Sequence, residues 1–356
     1  MSIFVDIKKD FGEFVLKSSF ETGDDITALL GASGCGKSMT LKCIAGIVRP
    51  DSGRIVVNDR VLFDSAAGIN IPPQKRRVGL LFQNYALFPN MTVRQNIMTV
   101  ISKTSKKDAE KHFKSLCEKF YIADLEDLYP SQLSGGQQQR TALARIMASG
   151  PDIIMLDEPL SALDSYLRWQ LEDELARIFA EYRGTILYVS HNRDEVYRLC
   201  DRVCVMTEGR TEPLRTVRDL FECPDTLASA ILSGCKNYSQ AASTDSPDKK
   251  LVHAVDWNVD LLCEDDIHIA TEYIGVRAHY FHKAKDDDLN KFDCKIIRIV
   301  DDVFSTIVYV RPLTAESTGK FSNIRIEMPK EEAATLSEGE VLCATVDPAD
   351  IMQLRA

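Results

Sequence analysis

The most distinctive chemistry in the sequence lies in a glycine-rich segment, residues 31–38, which follows the apolar run ITALL. The segment fits the spacing G-x-x-x-x-G-K-[ST], in which glycines permit a tight turn whose backbone N–H groups face phosphate oxygens. A helix that begins at the end of this turn would present its positive end to the same anion. We expect Lys37 to reach the β- and γ-phosphates of a nucleotide and Ser38 to bind Mg²⁺. The predicted phosphate-binding residues are Gly31, Ala32, Ser33, Gly34, Cys35, Gly36, Lys37, Ser38 and Met39.

A second chemical group is a pair of acids, Asp157 and Glu158, directly after the apolar run Ile153–Leu156. Parallel sheets bind ligands at the carboxyl ends of their strands, so Asp157 is expected to hold Mg²⁺ there. Glu158 is the candidate base that polarises a water attacking the γ-phosphate; positioned bases contribute roughly 10²–10⁴-fold in rate. A solvated acidic loop is the alternative, and the phosphate loop upstream disfavours it.

Short apolar runs alternate with amphipathic segments from the start of the chain to about residue 220. Such runs are typical of strands buried on both faces of a parallel sheet, and the alternation favours an α/β fold. With the phosphate loop, this predicts the sheet domain of a P-loop NTPase over residues 1–232. Residues 90–150 lack such runs and are predicted to form an inserted helical subdomain. The predicted strands are Ile26–Leu30, Val78–Phe82, Ile153–Leu156, Thr185–Val189 and Val203–Met206.

The rest of the chain has a different composition. Residues 233–250 are polar and poor in large apolar side chains, which is typical of a linker. From residue 251 to 356, short β-rich segments alternate with Asp, Gly and Pro. This pattern favours a small β-rich, barrel-like second domain.

Charge and cysteine usage restrict the classes of function. The net charge is −10 and the pI is near 5.2, whereas nucleic-acid binders usually show a basic footprint. No stretch approaches the roughly 20 apolar residues of a membrane-spanning helix, and the N-terminal run MSIFVDIKKDFGEF lacks the apolar core of a signal peptide. We therefore expect a cytosolic chain that binds no nucleic acid and whose ten scattered cysteines are reduced thiols.

A third motif, LSGGQ, occupies residues 133–137 and precedes a helix-like run to Met147. Two glycines and a serine at a helix start form a second anion site, although one nucleotide needs only one phosphate loop. In this order of motifs the chain resembles the ATP-binding subunits of ABC transporters. The resemblance implies that Ser134, Gly136 and Gln137 contact ATP held by a second copy of the chain, in a head-to-tail dimer.

The resemblance also assigns roles outside these motifs. Gln83 is similar to the glutamine that senses Mg²⁺ and the attacking water, and His191 to the histidine that holds the γ-phosphate. The run SALD, which ends at Asp164, is similar to the loop that links the two sites of the dimer. Phe11 is the candidate for stacking on adenine, with Phe14 or plain core packing as alternatives. The run NYALFPNMTVRQNI after Gln83 matches the region that docks on a membrane subunit, although local packing explains it almost as well.

Residues 251–356 make the chain resemble the ATPases of importers in particular. The run YIGVRAH and the β-rich segments after it are similar to the TOBE/mop-like regulatory domain of sulfate, molybdate and tungstate importer ATPases. This implies a peripheral subunit on the cytoplasmic face of the cell membrane, which uses ATP and Mg²⁺. Its expected partners are transmembrane permease subunits and, indirectly, an extracellular or periplasmic solute-binding protein. Importers of ferric iron, polyamines or sugars are the alternative, and a soluble ABC ATPase unconnected with transport is a third reading.

Overall fold

The structure is a computed structural model that describes residues 2–101, 105–161, 165–244, 249–315 and 321–356. These residues form two compact units that divide between Arg218 and Asp219. The division comes before residue 232, where the sequence predicts the end of the first domain. The reason is the short helix Leu227–Leu232, because its Ala230 packs with Cys235 and Leu354 in a small core of the second unit.

One 12-stranded sheet dominates the first unit, in the order β6-β5-β4-β1-β2-β11-β10-β3-β9-β8-β7, with β12 paired to β10. Strands β10, β3, β9, β8 and β7 are parallel to one another, and the remaining pairs among β1, β2, β4, β5 and β6 are antiparallel. The strands are β1 (Ile3–Asp10), β2 (Val15–Thr22), β3 (Ile26–Leu30), β4 (Ser52–Val57), β5 (Arg60–Asp64), β6 (Ile69–Asn70), β7 (Val78–Leu81), β8 (Ile153–Asp157), β9 (Thr185–Ser190), β10 (Arg202–Thr207), β11 (Arg210–Thr211) and β12 (Arg215–Thr216).

Helices connect the parallel strands. Three of them lie between β7 and β8, in the segment predicted to be helical, and one short helix crosses the division between the units. The helices are α1 (Lys37–Ala45), α2 (Val93–Met98), α3 (Lys106–Lys119), α4 (Gly135–Ala148), α5 (Ser165–Glu181), α6 (Arg193–Leu199) and α7 (Val217–Glu222).

The parallel strands bring the predicted site segments to one edge of the sheet. Every residue of β8 and of β9 is buried, which agrees with the apolar run that each strand contains. The chain leaves β3 into the phosphate loop, β8 at Asp157, β9 just before His191 and β7 two residues before Gln83. Since these strands are parallel, all four segments emerge at their carboxyl ends.

The second unit contains two five-stranded sheets, in the orders β15-β14-β13-β16-β22 and β17-β21-β18-β19-β20, with antiparallel pairing. One apolar core joins residues of both sheets, with the fully buried Trp257 among them. Its elements are α8 (Leu227–Leu232), β13 (Asn237–Ser243), β14 (Leu251–Ala254), β15 (Val259–Leu262), β16 (Tyr273–Val276), β17 (His282–Lys283), β18 (Phe292–Asp301), β19 (Thr306–Pro312), β20 (Ile324–Met328), α9 (Lys330–Ala333), β21 (Val341–Thr345) and β22 (Met352–Leu354).

The structure differs from the predicted linker at 233–250. Strand β13 lies inside that segment and pairs with both β14 and β16. Its inward positions carry polar side chains such as Asn237 and Ser239, so a search for large apolar residues misses the strand. Burial is tolerated because the Asn237 amide donates to the carbonyl oxygens of Val276 and Arg325.

Within the described ranges, we find no helix with the length and apolar character required to span a bilayer.

Candidate active site

The phosphate loop links β3 to α1 through glycines that the local geometry requires. Gly34 and Gly36 adopt left-handed backbone conformations, with φ of 83° and 113°. Gly31 has a different constraint, because a Cβ atom there would lie 2.3 Å from the carbonyl oxygen of Met206 and 2.7 Å from Cys35 Sγ. The loop is therefore closely packed on its own unit and leads directly into the N-terminus of α1.

Lys37 lies folded back on this loop. Its ammonium is almost fully buried and donates to the carbonyl oxygens of Gly31, at 2.8 Å, and Ala32, at 2.9 Å. The nearest carboxylate oxygen is Glu158 Oε1, at 3.9 Å. The ammonium is thus satisfied by neutral acceptors, which a more strongly charged acceptor such as a phosphate can replace.

Ser38 and Asp157 meet across the site. The Ser38 hydroxyl donates to Asp157 Oδ1 at 2.7 Å, and the carboxylate is nearly buried. Burial raises the pKa of Asp157, the Ser38 hydrogen bond opposes this, and the neighbouring Glu158 charge adds to it. A hydroxyl and a carboxylate are the oxygen ligands that Mg²⁺ prefers, so these residues fit the predicted metal. Among the described residues, no group of three His, Cys, Asp or Glu side chains is arranged to hold a metal ion.

Glu158 is held in an unusual conformation beside His191. Its φ is 47°, a left-handed value that costs a non-glycine residue energy and that is concentrated at functional sites. Its N–H donates to the carbonyl oxygen of Val189 at 3.0 Å, which ties the residue to β9. His191 Nδ1 lies 3.2 Å from Glu158 Oε1, and its ring is half exposed. The two side chains therefore face the same space at the sheet edge.

Gln83 joins this group through a serine. Its amide nitrogen lies 3.3 Å from Ser161 Oγ, which donates in turn to the carbonyl oxygen of Glu158 at 3.0 Å. Lys37, Ser38, Asp157, Glu158, His191 and Gln83 are thus brought together, whereas Asp164 lies outside the described residues.

The LSGGQ segment forms a capped helix start. Ser134 is the N-cap of α4, and its hydroxyl accepts the N–H of Gln137, whose side-chain oxygen accepts the N–H of Ser134 at 2.9 Å. Among the described residues, no hydrogen bond or ion pair joins Ser134, Gly136 or Gln137 to the phosphate loop. A Cβ at Gly136 would meet only Leu171 Cδ1, at an ordinary 3.5 Å, so the fold of a single chain does not require a glycine there.

The two candidate aromatics differ in their surroundings. Phe14 packs beneath the phosphate loop, since a Cβ at Gly36 would lie 3.0 Å from its ring. Phe11 is 39% exposed at the turn between β1 and β2, with its ring 6.2 Å from that of Phe14. Phe11 is thus the more exposed of the two, and the Lys9 ammonium lies 5.9 Å from the centre of its ring.

Sequence reasoning missed Arg145, which fixes the segment after Gln83. From α4 its guanidinium donates to the carbonyl oxygens of Tyr85 and Ala86, both left-handed, and lies over the ring of Phe88. Burial lowers the pKa of Arg145. The available signal was an arginine on the apolar side of the predicted helix with no acid at helical spacing.

A strand, a glycine loop and a helix, with an acid at the end of a second parallel strand of the same sheet, define a P-loop nucleotide hydrolase. Residues 17–161 match the sequence model of the family described as "ABC transporter". The matched segment contains the phosphate loop, the LSGGQ motif and the Asp157–Glu158 pair.

The chain is similar in sequence to several proteins that are named as import ATP-binding proteins. The molybdenum import ATP-binding protein ModC of Rhodospirillum rubrum is 39% identical over 221 residues, which cover 62% of this chain and 60% of that protein. The spermidine/putrescine import ATP-binding protein PotA of Acidothermus cellulolyticus is 42% identical over 217 residues, covering 60% of this chain and 55% of PotA. The chain thus spans about 60% of the length of the first of these relatives.

One solved structure is a dimer of the ATP-binding cassette MJ0796 in a post-hydrolysis state, bound to ADP and Pi. It has a TM-score of 0.51 and 26% identity, and the match covers 61% of this chain and 99% of that one.

Proposed function

We propose that the chain is the ATP-binding and hydrolysing subunit of an ABC importer that energises uptake of a small inorganic oxyanion, with molybdate as the first candidate. The observation that carries the proposal is the convergence of Lys37, Ser38, Asp157, Glu158 and His191 at one sheet edge.

Binding begins with the phosphate loop. The backbone N–H groups of the loop and of the first turn of α1 bind the β-phosphate, and Lys37 exchanges its two carbonyl acceptors for phosphate oxygens. Ser38 and Asp157 would hold Mg²⁺, with Gln83 on its water side. When bound, Mg²⁺ neutralises charge on the β- and γ-phosphates. Phe11 stacks on the adenine, which selects a purine ring and not a particular base.

Hydrolysis uses the two residues at the sheet edge. Glu158 accepts a hydrogen bond from a water, whose oxygen attacks the γ-phosphorus as the bond to the ADP oxygen breaks. The left-handed backbone of Glu158 fixes where its carboxylate can lie. His191, 3.2 Å away, donates to the γ-phosphate and to the charge that develops on it.

A second copy completes the site. Ser134, Gly136 and Gln137 form an anion-binding helix start without a phosphate partner in their own chain. We infer that they bind the γ-phosphate held by the other copy, with Asp164 between the two sites. The dimeric cassette with bound ADP and Pi supports this arrangement.

The importer role and the cargo are supported by the relatives. ModC supports molybdate, while PotA makes a polyamine the second candidate. Both matches cover only about 60% of this chain, which is the extent of the ATPase unit, so they support transport more strongly than a particular cargo. Permease subunits at the cytoplasmic face of the membrane, an external solute-binding protein and a TOBE/mop-like regulatory role of the second unit belong to the same proposal.

The test compares the native chain with Glu158→Gln in phosphate release and in uptake. We expect the native chain to release phosphate from ATP with Mg²⁺ and to restore molybdate uptake to cells that lack their own import ATPase. Glu158→Gln should bind ATP and do neither. Unchanged phosphate release by Glu158→Gln would contradict the assigned site, and restored spermidine uptake without molybdate uptake would replace the cargo.

A further inference from the structure

Helices α5 and α6 begin at the two loops that carry Glu158 and His191. Two ion pairs join these helices, and the arginine lies on α6 in one pair and on α5 in the other. Arg198 of α6 donates twice to the Glu172 carboxylate of α5, at 2.7 and 2.9 Å. In the other direction, Arg168 Nε of α5 lies 3.9 Å from Glu195 Oε1 of α6. Each helix therefore contributes one carboxylate and one guanidinium to the contact between α5 and α6.

Glu195 also fixes the loop of His191 directly. Its carboxylate is 3% exposed, and its Oε2 accepts the hydroxyls of Ser190, at 2.8 Å, and Tyr188, at 3.1 Å. Ser190 Oγ accepts in turn the N–H of Asn192 at 2.9 Å. The hydrogen bonds of Ser190 and Asn192 thus lie immediately before and after His191 and trace back to one buried carboxylate.

The ion pairs between α5 and α6 are not explained by a gain in stability. Burial raises the pKa of Glu195, which shows that its charge is carried at a cost. Both carboxylates are buried while the Arg198 side chain is half exposed, and ion pairs with a buried charge are commonly no more stabilising than apolar side chains of similar volume. The bidentate pair of Arg198 with Glu172 supplies a fixed register between the two helices, because sliding or rotating one helix breaks its two hydrogen bonds.

We propose that Glu172 and Glu195 are positioning residues: they hold α5 and α6 as one body and thereby keep Glu158 and His191 within hydrogen-bonding distance. The proposal rests on the hydrolysis of ATP proposed above. Neither residue touches the reacting atoms, so each acts through the position of its helix.

The chain offers a matched control next to Glu172. Asp173 follows it on α5 and forms an ion pair with Arg177 of the same helix, in which both side chains are more than half exposed. Such a pair contributes little to stability and joins α5 to nothing else. Glu172→Gln and Asp173→Asn therefore make the same chemical change at adjacent positions, with and without loss of the link to α6.

The first measurement is steady-state ATP hydrolysis by the intact chain. We expect Glu172→Gln and Glu195→Gln to lower kcat by about 10- to 100-fold, since a misplacement near 1 Å costs on the order of 10². KM for ATP should change less than about twofold, and Asp173→Asn should match the native chain. Arg198→Gln combined with Glu172→Gln should cost no more than the worse single change, because both remove one interaction.

The second measurement does not depend on hydrolysis. Hydrogen exchange at the amides of Glu158 and Asn192 reports their bonds to Val189 and Ser190. We expect exchange about tenfold faster or more in Glu172→Gln, with Asp173→Asn unchanged. Unchanged exchange and kcat in Glu172→Gln would overturn the proposal, as would an equal loss in Asp173→Asn. If the native chain hydrolyses no ATP, the proposed function fails, while the exchange pattern still decides the link between the helices.

Discussion

Gly136→Ala should make the folded chain more stable and the ATPase inactive. The added Cβ would contact only Leu171 Cδ1 at 3.5 Å, so it meets no clash within the chain. Replacing a helical glycine by alanine contributes about 0.4–1 kcal/mol, chiefly by restricting the unfolded chain. For a unit of this size, about 1 kcal/mol corresponds to roughly 2–4 °C in Tm.

The functional loss follows from the position of Gly136 at the start of α4. In the proposed dimer this helix start approaches the γ-phosphate of the other copy, where an added methyl group would separate donors from phosphate. Losing one such donor contact costs about 10²–10³ in rate. We therefore expect Tm without nucleotide to rise by about 1–4 °C and phosphate release to fall by at least about 100-fold.

Thermal unfolding without nucleotide and phosphate release with Mg²⁺–ATP measure the two effects separately. Gly31→Ala is the contrasting control, since its Cβ would lie 2.3 Å from the carbonyl oxygen of Met206 and should lower Tm. The reasoning is refuted if Gly136→Ala lowers Tm by several degrees, because glycine would then be required by the fold itself. Native phosphate release by the variant would equally refute it.

Three further changes test individual contacts. Lys37→Ala should weaken ATP binding by more than about tenfold, measured by equilibrium titration, because the only buried ammonium at the loop is lost; unchanged affinity would contradict its role. Arg76→Ala should destabilise the chain by about 3 kcal/mol in urea unfolding, since Arg76 caps the carbonyls of Cys43 and Ile44 at the end of α1; a loss below about 1 kcal/mol would argue against that cap. Asp157→Asn should raise Tm without nucleotide at neutral pH but not below about pH 4: burial raises the pKa of Asp157, so stability linked to this group is present at low pH and lost as pH rises through that pKa. A lower Tm at neutral pH would contradict this sign.

The parts of the fold that the sequence predicted are those with local signals. The strand before Gly31 and the two buried strands β8 and β9 each contain an apolar run, and glycines allow the turn of the phosphate loop. Once parallel pairing is assumed, the carboxyl ends of these strands must lie at one edge. The grouping of Asp157, Glu158 and His191 follows from that geometry without any tertiary information.

Other features depend on partners far apart in the sequence. Strand β13 can bury Asn237 because the side-chain amide donates hydrogen bonds to the carbonyl oxygens of Val276 and Arg325, which are 39 and 88 positions away. The pairs of Arg198 with Glu172 and of Arg145 with the segment after Gln83 are equally non-local. The position of a charged residue in the sequence does not indicate that it is buried. These contacts are therefore seen only in the packed structure.

The choice between Phe11 and Phe14 illustrates the same limit at short range. Both residues lie in the turn between β1 and β2, and either could stack on a base by its type and position. Packing separates them, because Phe14 is in contact with the phosphate loop and Phe11 is exposed.

We propose that ATP joins two copies of this chain, with the phosphate loop of one facing Ser134 and Gly136 of the other. The most direct measurement is the molar mass of Glu158→Gln in solution by light scattering, with and without ATP. We expect about 40 kDa without nucleotide and about twice that with ATP, from the chain mass of 39.9 kDa. A protein that binds ATP, cannot hydrolyse it and still scatters as a single chain would contradict the account.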